Sequence, residues 1–270
     1  MQEILRRGRL RLLQMHHTAG VGHIGGNLSS LDVMLTLHHR VLGSDDRFVL
    51  SKGHAAGALY VTLWSTGILT DDDLARFHKD GTKLSGHPPS VGIPGVAFAT
   101  GSLGHGLGLA AGLALGKRLK GEAGRVFCLT SDGEWNEGST WEAAIFAKHQ
   151  QLSNLTIVID LNGLQGMGTT REIADLGSLA EKLAVFGFTV LEIDGHDPVA
   201  IEAALAATGA GPLAIVARTI KGRGVSFMEN RVEWHYLPMN AEQYAQAIAE
   251  VTQSGLPDAN PDLGKARSPR

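Results

Sequence analysis

Two side chains that can bind a divalent cation stand thirty residues apart, each just after an apolar stretch. Asp132 follows RVFCLTS (125–131), and Asn162 comes shortly after LTIVID (155–160). If these stretches are adjacent parallel strands, both groups lie beyond the carboxyl ends of the strands, where such sheets bind ligands. Mg²⁺ commonly takes one or two oxygen ligands of this kind from a protein. Because Asp-Gly and Asn-Gly are also ordinary turn pairs, the spacing alone leaves a metal site and plain turns both open.

Glycine-rich blocks surround these positions and would let the backbone approach a phosphate. Glycine accounts for 35 of 270 residues, about twice its usual share, and clusters in segments such as GVGHIGG and GSLGHGLG. Glycine has no side chain to separate a ligand from the backbone N–H groups. The helix predicted after Asp132 would present further N–H groups at its beginning. A phosphate-bearing ligand beside the candidate metal site is therefore indicated.

The elements that would position these residues alternate between strands and helices. Apolar, β-branched runs predict strands, and helical spacing of apolar residues predicts the segments between them. The predicted strands are 125–131, 155–160, 188–193 and 213–219, and the predicted helices are 138–151, 177–186 and 197–207. Strands that are apolar throughout are typical of a parallel sheet buried on both faces. The sequence thus predicts an α/β fold, a parallel β-sheet sandwiched by helices.

Composition excludes several classes of protein. The formal net charge of −3 leaves no dominant basic face, which argues against a nucleic-acid binder. No apolar run is long enough to cross a membrane, and no signal peptide is visible at the N-terminus. Cys128 is the single cysteine, so it cannot form an intramolecular disulfide. These features predict a cytoplasmic protein with no nucleic-acid or membrane partner.

The chain is predicted to contain one domain over residues 1–253 and a flexible tail over 254–270, which is rich in proline, glycine and charge. A basic cluster near the N-terminus lies on a predicted helix. It comprises Arg6, Arg7, Arg9 and Arg11. The simplest interpretation of this cluster is a solvated helix face.

Seven blocks in the same order together resemble the transketolases, and within them the N-terminal subunits of split transketolases. The Asp132-Gly133 pair with Asn162 thirty residues on is similar to the thiamine-diphosphate-binding signature of that family. The blocks are GHIGGNLSS (22–30), RFVLSKGHAAGALY (47–60), LSGHP (84–88), TGSLGHGLGLAAG (100–112), SDGEWNEGSTWEAA (131–144), DLNGLQG (160–166) and TIKGRGVSFMENRVEWH (219–235). The resemblance implies the diphosphate-binding domain of the thiamine-diphosphate-binding fold. It also implies transfer of a two-carbon ketol unit from a ketose (phosphate) to an aldose (phosphate).

The resemblance also implies roles for individual residues. Mg²⁺, for which Ca²⁺ or Mn²⁺ could substitute, would be held by Asp132, Asn162 and the backbone carbonyl of Leu164, and would bridge the diphosphate of the cofactor. Other implied cofactor contacts are His54, Gly101, Leu103, Gly133, Glu137 and His235. The implied catalytic residues are His23, His87, His235, Lys221 and Glu137. The histidines would position the sugar hydroxyls and move protons, which suits a side chain that titrates near neutral pH. Glu137 would couple two active sites across a dimer interface.

The sequence departs from the family pattern at three positions and lacks a second half. Ser131 replaces the first glycine of the GDG signature, Met167 stands where an acidic residue is common, and Tyr236 follows His235 where glycine is common. Nothing after residue 250 resembles the domain that activates the cofactor and grips the sugar phosphate. The resemblance therefore implies a separate C-terminal subunit, in an α₂β₂ assembly.

Other functions are compatible with parts of the sequence. Gly106–Ala111 fits a dinucleotide-binding fingerprint, but GSLGH separates it from the strand-like GVAFAT (95–100), which spoils the required tight turn. The twelve histidines suggest zinc binding as an alternative. Adjacent helical residues such as His16 and His17 point in different directions, however, which argues against a shared metal ion. A non-catalytic regulatory subunit would keep the fold without the chemistry. Within the thiamine enzymes, 1-deoxy-xylulose-phosphate synthase and dehydrogenase E1 subunits are alternatives that the LSGHP and KGRG…WH blocks disfavour.

Overall fold

Five parallel strands form one sheet in the order β1-β2-β3-β5-β4 in the computed structural model, which describes residues 1–253. The strands are β1 Arg47–Leu50, β2 Val126–Ser131, β3 Leu155–Leu161, β4 Thr189–Asp194 and β5 Leu213–Arg218. The predicted α/β class is confirmed, and β1 joins the four strands that the sequence pattern indicates. The predicted tail 254–270 lies outside the described residues.

Ten α-helices connect or flank these strands in the described part of the chain. They are α1 Gln2–Ala19, α2 Ile24–Thr36, α3 Ala56–Ser65, α4 Asp71–Ala75, α5 Gly106–Leu119, α6 Gly138–His149, α7 Thr170–Ala174, α8 Leu179–Val185, α9 Pro198–Ala206 and α10 Ala241–Gln253. A π-helical turn, Leu37–Val41, continues α2. Short 3₁₀ turns occupy Gly53–Ala55, Gly133–Asn136 and Val232–His235. No helix within residues 1–253 combines the length and apolar character that a membrane span requires.

The sheet is buried on both faces because its alternate residues enter two different cores. In β2, Phe127 and Leu129 pack into a core shared with α1, α2, α3, α9 and α10. Val126 and Cys128 face the opposite way, into a core shared with α5, α6 and α8. All four side chains are fully buried. Both faces of β2 are therefore covered, as are those of β3 and β5, which is why apolar residues dominate these strands, whereas the edge strand β4 is only partly buried.

The strand register brings the ends of the central strands to one edge of the sheet. Ser131 at the end of β2 pairs with Asp160 of β3. Leu161, the last residue of β3, pairs with Arg218, the last residue of β5. The segments that follow these three strands consequently begin side by side. This carboxyl edge is where an open parallel sheet binds its ligands.

The predicted solvated arginine face is wrong for Arg9, although Arg7 is exposed. Arg9 lies on the same side of α1 as Leu5 and Leu12, at helical spacing, and only 1% of it is exposed. Its Nη2 donates to both carboxylate oxygens of Asp32, at 2.6 and 2.7 Å. The ion pair thus anchors the first helix to the second inside the core.

The segment GVAFAT (95–100) is also not a strand. It belongs to a long irregular connection between α4 and α5, and Gly106 begins α5 directly after a loop. The dinucleotide fingerprint requires a strand, a tight turn and then a helix. The structure therefore removes the support for a nicotinamide-dependent oxidoreductase.

We expect replacement of Arg9 to destabilise the fold more than replacement of a surface arginine. Arg9→Met leaves the buried Asp32 carboxylate without its cation, which should lower the free energy of unfolding by about 3 kcal/mol. Arg6→Met removes an exposed pair with Glu3 and should change it by less than about 1 kcal/mol. Urea unfolding followed by circular dichroism measures both. Equal losses in the two variants would contradict a stabilising role for the buried pair.

Candidate cofactor site at the carboxyl edge of the sheet

A cavity of about 290 Å³ opens at the carboxyl edge, between the segments that follow the strands. Ten of the residues implied by the resemblance line it: His54, His87, Gly101, Leu103, Asp132, Gly133, Asn162, Leu164, Lys221 and His235. They come from separate stretches of the chain. His54 follows β1, Asp132 follows β2, Asn162 follows β3 and Lys221 follows β5. The fold alone brings these stretches together.

Asp132, Asn162 and Leu164 lie in two adjoining turns whose hydrogen bonds hold their oxygens in place. Asp132 Oδ1 accepts from Gly133 N at 2.8 Å, and Oδ2 accepts from Gly163 N at 2.6 Å. Asn162 Oδ1 accepts from Leu164 N at 3.0 Å. A carboxylate, an amide oxygen and a backbone carbonyl are hard oxygen donors of the kind that Mg²⁺ selects. The donor set therefore fits the implied ion.

The charge on Asp132 is only partly compensated by the protein. Burial raises the pKa of Asp132 to about 7, and the neighbouring Asp160 carboxylate adds to the rise, although backbone N–H groups and Lys52 oppose it. A buried carboxylate with a raised pKa stands to gain from a divalent cation placed beside it. This electrostatic deficit is a second reason why the site fits a metal.

Glycines let the loops of the cavity wall approach one another closely. A Cβ on Gly53 would lie 2.5 Å from Gly101 N, and a Cβ on Gly101 would lie 2.7 Å from His87 Cδ2. Gly101 also has a φ of 140°, which side chains other than glycine rarely adopt. The glycine-rich blocks therefore allow close packing of the loops around the cavity, and the predicted approach of their backbone to a ligand stays a prediction.

Four predicted histidines converge on one side of the cavity. The ring centroid of His23 lies 5.1 Å from that of His235, 5.9 Å from that of His54 and 6.4 Å from that of His87. His54 and His235 are 5.6 Å apart. His23 has a left-handed φ of 63° as it begins α2, where Asn27 donates to its carbonyl. His23 therefore sits at the turn that begins α2, and its side chain lies within the histidine cluster.

Burial and nearby cations favour the neutral form of three of these histidines. Burial lowers the pKa of His235 to about 3, with Lys221 as the next cause, and Lys221 Nζ donates to His235 Nδ1 at 3.0 Å. Burial likewise lowers the pKa of His23 and brings that of His54 well below its usual range. The pKa of Lys221 falls to about 8, mainly through burial and then through Lys52. Neutral imidazoles offer both a hydrogen-bond donor and an acceptor.

A buried ion pair below the cavity is a feature that the sequence analysis misses. Lys52 and Asp160 are fully buried and paired, and Lys52 Nζ also donates to the carbonyl of Gly26. Asp160 accepts further hydrogen bonds from the hydroxyls of Ser29 and Thr219. The available signal is a carboxylate that ends one apolar strand and a lysine that follows another. The sequence does not indicate that Lys52 and Asp160 form a pair, because the two residues come together only in the folded chain.

Glu137 lies away from the cavity, and the three positions that depart from the family pattern line it. Glu137 is exposed where α6 begins and does not line the cavity, so its implied role stays a prediction. Met167 and Tyr236 line the cavity rim and are 85% and 58% exposed. Ser131 also lines the cavity, and its backbone continues β2 into Asp132 without a glycine. The departures at Met167 and Tyr236 thus fall on the exposed part of the cavity lining.

Residues 2–253 match the protein family described as transketolase, thiamine diphosphate binding domain. The chain belongs to this family. The match covers the whole described fold except the first residue and includes every residue that lines the cavity.

Curated relatives place the chain within this transketolase family. It is 37% identical over 259 residues to an apulose-4-phosphate transketolase subunit of Phocaeicola vulgatus, with 92% of each chain covered. It is 37% identical over 249 residues to a 6-deoxy-6-sulfo-D-fructose transketolase subunit of Clostridium sp., covering 87% of this chain and 90% of the relative. Human transketolase is 34% identical over 264 residues, covering 93% of this chain and 42% of its own length. The chain therefore spans less than half of the full-length enzyme.

Solved transketolase structures share the fold. The Leishmania mexicana enzyme superimposes with a TM-score of 0.85 at 28% identity, over 97% of this chain and 43% of its own. The Pichia stipitis enzyme in complex with sedoheptulose-7-phosphate also gives a TM-score of 0.85, at 26% identity, over 93% of this chain and 40% of its own. The predicted resemblance and the predicted fold are both confirmed. A transketolase-type chain is thereby favoured over the other thiamine enzymes considered above.

We expect Lys221 to depress the pKa of His235. In Lys221→Met the ring loses its nearest cation, so the pKa of His235 should rise from about 3 yet stay below 6.5, because burial remains. NMR titration of the imidazole ring protons measures this change. Lys182→Met, which removes an exposed lysine on α8, is the matched control. An equal pKa of His235 in the two variants would contradict a direct effect of Lys221 on this histidine.

Proposed function

We propose that this chain is the thiamine-diphosphate-binding, N-terminal subunit of a two-chain transketolase. With Mg²⁺ it would transfer a two-carbon ketol unit from a ketose or ketose phosphate to an aldose or aldose phosphate. The observation that carries the proposal is the convergence, at one cavity, of an oxygen donor set for a metal and a cluster of four histidines. Family membership supports the cofactor, and the cavity supports the chemistry.

The metal and the diphosphate would occupy the part of the cavity nearest β2 and β3. Asp132, Asn162 and the carbonyl of Leu164 would hold Mg²⁺, with Gly133 and His54 against the diphosphate. The loop of Gly101 and Leu103 would lie against the organic part of the cofactor. When bound, thiamine diphosphate supplies an electron sink for cleavage and formation of the carbon–carbon bond beside a carbonyl.

The remaining task of the chain is to orient the sugar and to move protons. Ketol transfer repeatedly shifts protons between hydroxyl and alkoxide oxygens, so it needs groups that both donate and accept near neutral pH. His23 and His87 would move these protons, and His235, which is held neutral, would orient the sugar hydroxyls as a hydrogen-bond donor and acceptor. Lys221 is hydrogen bonded to His235 and to the carbonyls of Leu164 and Gln165, so it would hold the imidazole in its neutral form.

A separate C-terminal partner would complete the active site. Relatives that are named as single subunits of a transketolase align with this chain over about nine tenths of their length, whereas human transketolase extends well beyond the aligned region. The partner would activate the cofactor and bind the sugar phosphate, in an α₂β₂ assembly with Glu137 at the interface between active sites. The exposure of Glu137 is compatible with such an interface. The buried free thiol of Cys128 agrees with a cytoplasmic location.

We expect Asp132→Asn to abolish cofactor binding that depends on Mg²⁺. The substitution keeps the shape of the side chain but removes the charge, and even outer-shell partners of metals commonly contribute about 10–100-fold to affinity, so the loss should be at least about 100-fold. Isothermal titration of thiamine diphosphate with and without MgCl₂ measures it. Asp80→Asn removes an exposed carboxylate away from the cavity and should have no effect. Unchanged binding and activity in Asp132→Asn would mean that the site is vestigial and the chain regulatory.

We expect the chain to need its partner for turnover. Purified chain with thiamine diphosphate, Mg²⁺ and a ketose phosphate donor plus an aldose acceptor should give no ketol transfer. Addition of the C-terminal partner should restore the reaction, followed as product formation by chromatography. Full activity of the chain by itself would contradict the two-chain proposal.

A further inference from the structure

A carboxylate that does not touch the cavity connects three of the segments that build it. Glu134 lies in the 3₁₀ turn after β2 and is 1% exposed. Its Oε1 accepts from the hydroxyl of Ser51 and from Gly104 N, the latter at 3.1 Å. Its Oε2 accepts from Ser131 N at 2.9 Å. One buried side chain therefore receives three hydrogen bonds from three different parts of the chain.

Each donor is close in sequence to residues of the proposed cofactor site. Ser51 begins the segment that leads to Lys52 and His54. Ser131 immediately precedes Asp132, a proposed metal ligand. Gly104 lies two residues before α5, in the loop whose earlier residues, Gly101 and Leu103, line the cavity. Because all three donors bind the same carboxylate, three segments are held at fixed distances from one another. They are the loop after β1, the loop after β2 and the loop before α5.

The packing around Gly104 shows independently how tightly this loop is held. A Cβ on Gly104, whose φ is 84°, would lie 2.6 Å from Glu137 Cβ. A Cβ on Gly106 would lie 2.6 Å from Ser51 Cα. Ser139 Oγ also donates to the carbonyl of Gly104 at 2.9 Å. The loop before α5 therefore packs closely against the segments around Glu134 and Ser51, and a side chain at Gly104 or Gly106 would clash with them.

We propose that Glu134 is a positioning residue that holds the three cofactor-binding segments in place before thiamine diphosphate binds. The inference rests on the proposed cofactor site and adds a residue that contacts neither metal nor cofactor. Preorganisation of this kind raises affinity because less order has to be created on binding. The carboxylate is suited to the role since it presents acceptors only, and all three of its partners are donors.

An amide cannot replace this carboxylate in either orientation. If the amide oxygen of Gln takes the position of Oε1, its NH₂ group faces Ser131 N–H. If the oxygen takes the position of Oε2, the NH₂ group faces Gly104 N–H. One backbone N–H of a cofactor-binding segment then loses its acceptor, which is costly in a buried position. Met at the same position removes all three acceptors at similar volume.

The test compares Glu134→Gln and Glu134→Met with the parent, using the full chain together with its partner subunit. Isothermal titration with thiamine diphosphate and MgCl₂ should show a Kd about tenfold higher for Gln and higher again for Met, since each buried group left without a partner carries a penalty of this order. Hydrogen exchange in the cofactor-free protein should speed up at the amides of residues 101–106. Because Gln preserves size, it keeps the test valid if the Met variant fails to fold.

Thr140→Val is the matched control. Thr140 is fully buried, and its hydroxyl donates to the backbone carbonyl of Glu134 at 2.7 Å, but it links none of the three segments. It should lower thermal stability without raising the Kd for thiamine diphosphate. Combining Ser51→Ala with Glu134→Gln should cost less affinity than the sum of the single changes, because Ser51 acts through the carboxylate.

The outcomes separate this inference from the proposed function. If the parent does not bind thiamine diphosphate at all, the proposed cofactor site is wrong. If the parent binds, but Glu134→Gln keeps the parental Kd and the parental exchange rates, Glu134 is not a positioning residue. A Kd raised equally in Thr140→Val would also overturn the inference, since general loss of stability would then explain both.

Discussion

The site depends on the buried ion pair between Lys52 and Asp160 beneath the cavity. Removing both charges from water is costly, and the pair is tolerable only with close geometry and further hydrogen bonds. Asp160 receives them from Ser29, Thr219 and the amide of Asn162. Burial acts to raise the pKa of Asp160, but Lys52 and the hydroxyl donors together hold it below its usual range. Segments from α2, β1, β3 and β5 therefore meet at one ionised carboxylate.

This arrangement has an electrostatic consequence for Asp132. The cation of the pair is closely engaged by Asp160, while Asp132 lies near that carboxylate and takes its hydrogen bonds from backbone donors. Burial and then the Asp160 carboxylate raise the pKa of Asp132, whereas Lys52 and the hydroxyl donors overcome the effect of burial and lower the pKa of Asp160. A dication bound beside Asp132 would remove the imbalance. The protein pairs the Asp160 carboxylate with Lys52 and leaves the Asp132 carboxylate for a ligand.

The histidine cluster depends on a different principle. There, Lys221 is buried among carbonyl and imidazole groups and has a lowered pKa. Its positive charge, together with burial, keeps His235 unprotonated, and the pKa values of His23 and His54 are also lowered mainly by burial. Charged carboxylates therefore lie beside the proposed metal site, and imidazoles kept neutral by burial and by Lys221 lie next to them. This arrangement suits a site that would anchor a charged diphosphate and orient the hydroxyl groups of a sugar.

The sequence by itself determined the α/β class, the family and most residues that line the cavity. Continuous apolar runs indicate doubly covered strands, and the GHIGG, SKGH and SDGEWNEG blocks consist of neighbouring residues whose order is visible without a fold. Only the tertiary structure decided which charged side chains are buried and what they contact. Helical spacing places Arg9 on the side of Leu5 and Leu12 but does not show that Asp32 is its partner. Lys52 and Glu134 lie within the SKGH and SDGEWNEG blocks, yet nothing in those blocks shows that their side chains are buried or what they contact. Their partners lie far away in the chain, 108 residues between Lys52 and Asp160 and 83 between Ser51 and Glu134. Burial and pairing at such separations arise from packing between strands and helices, a property that no local pattern of residues contains.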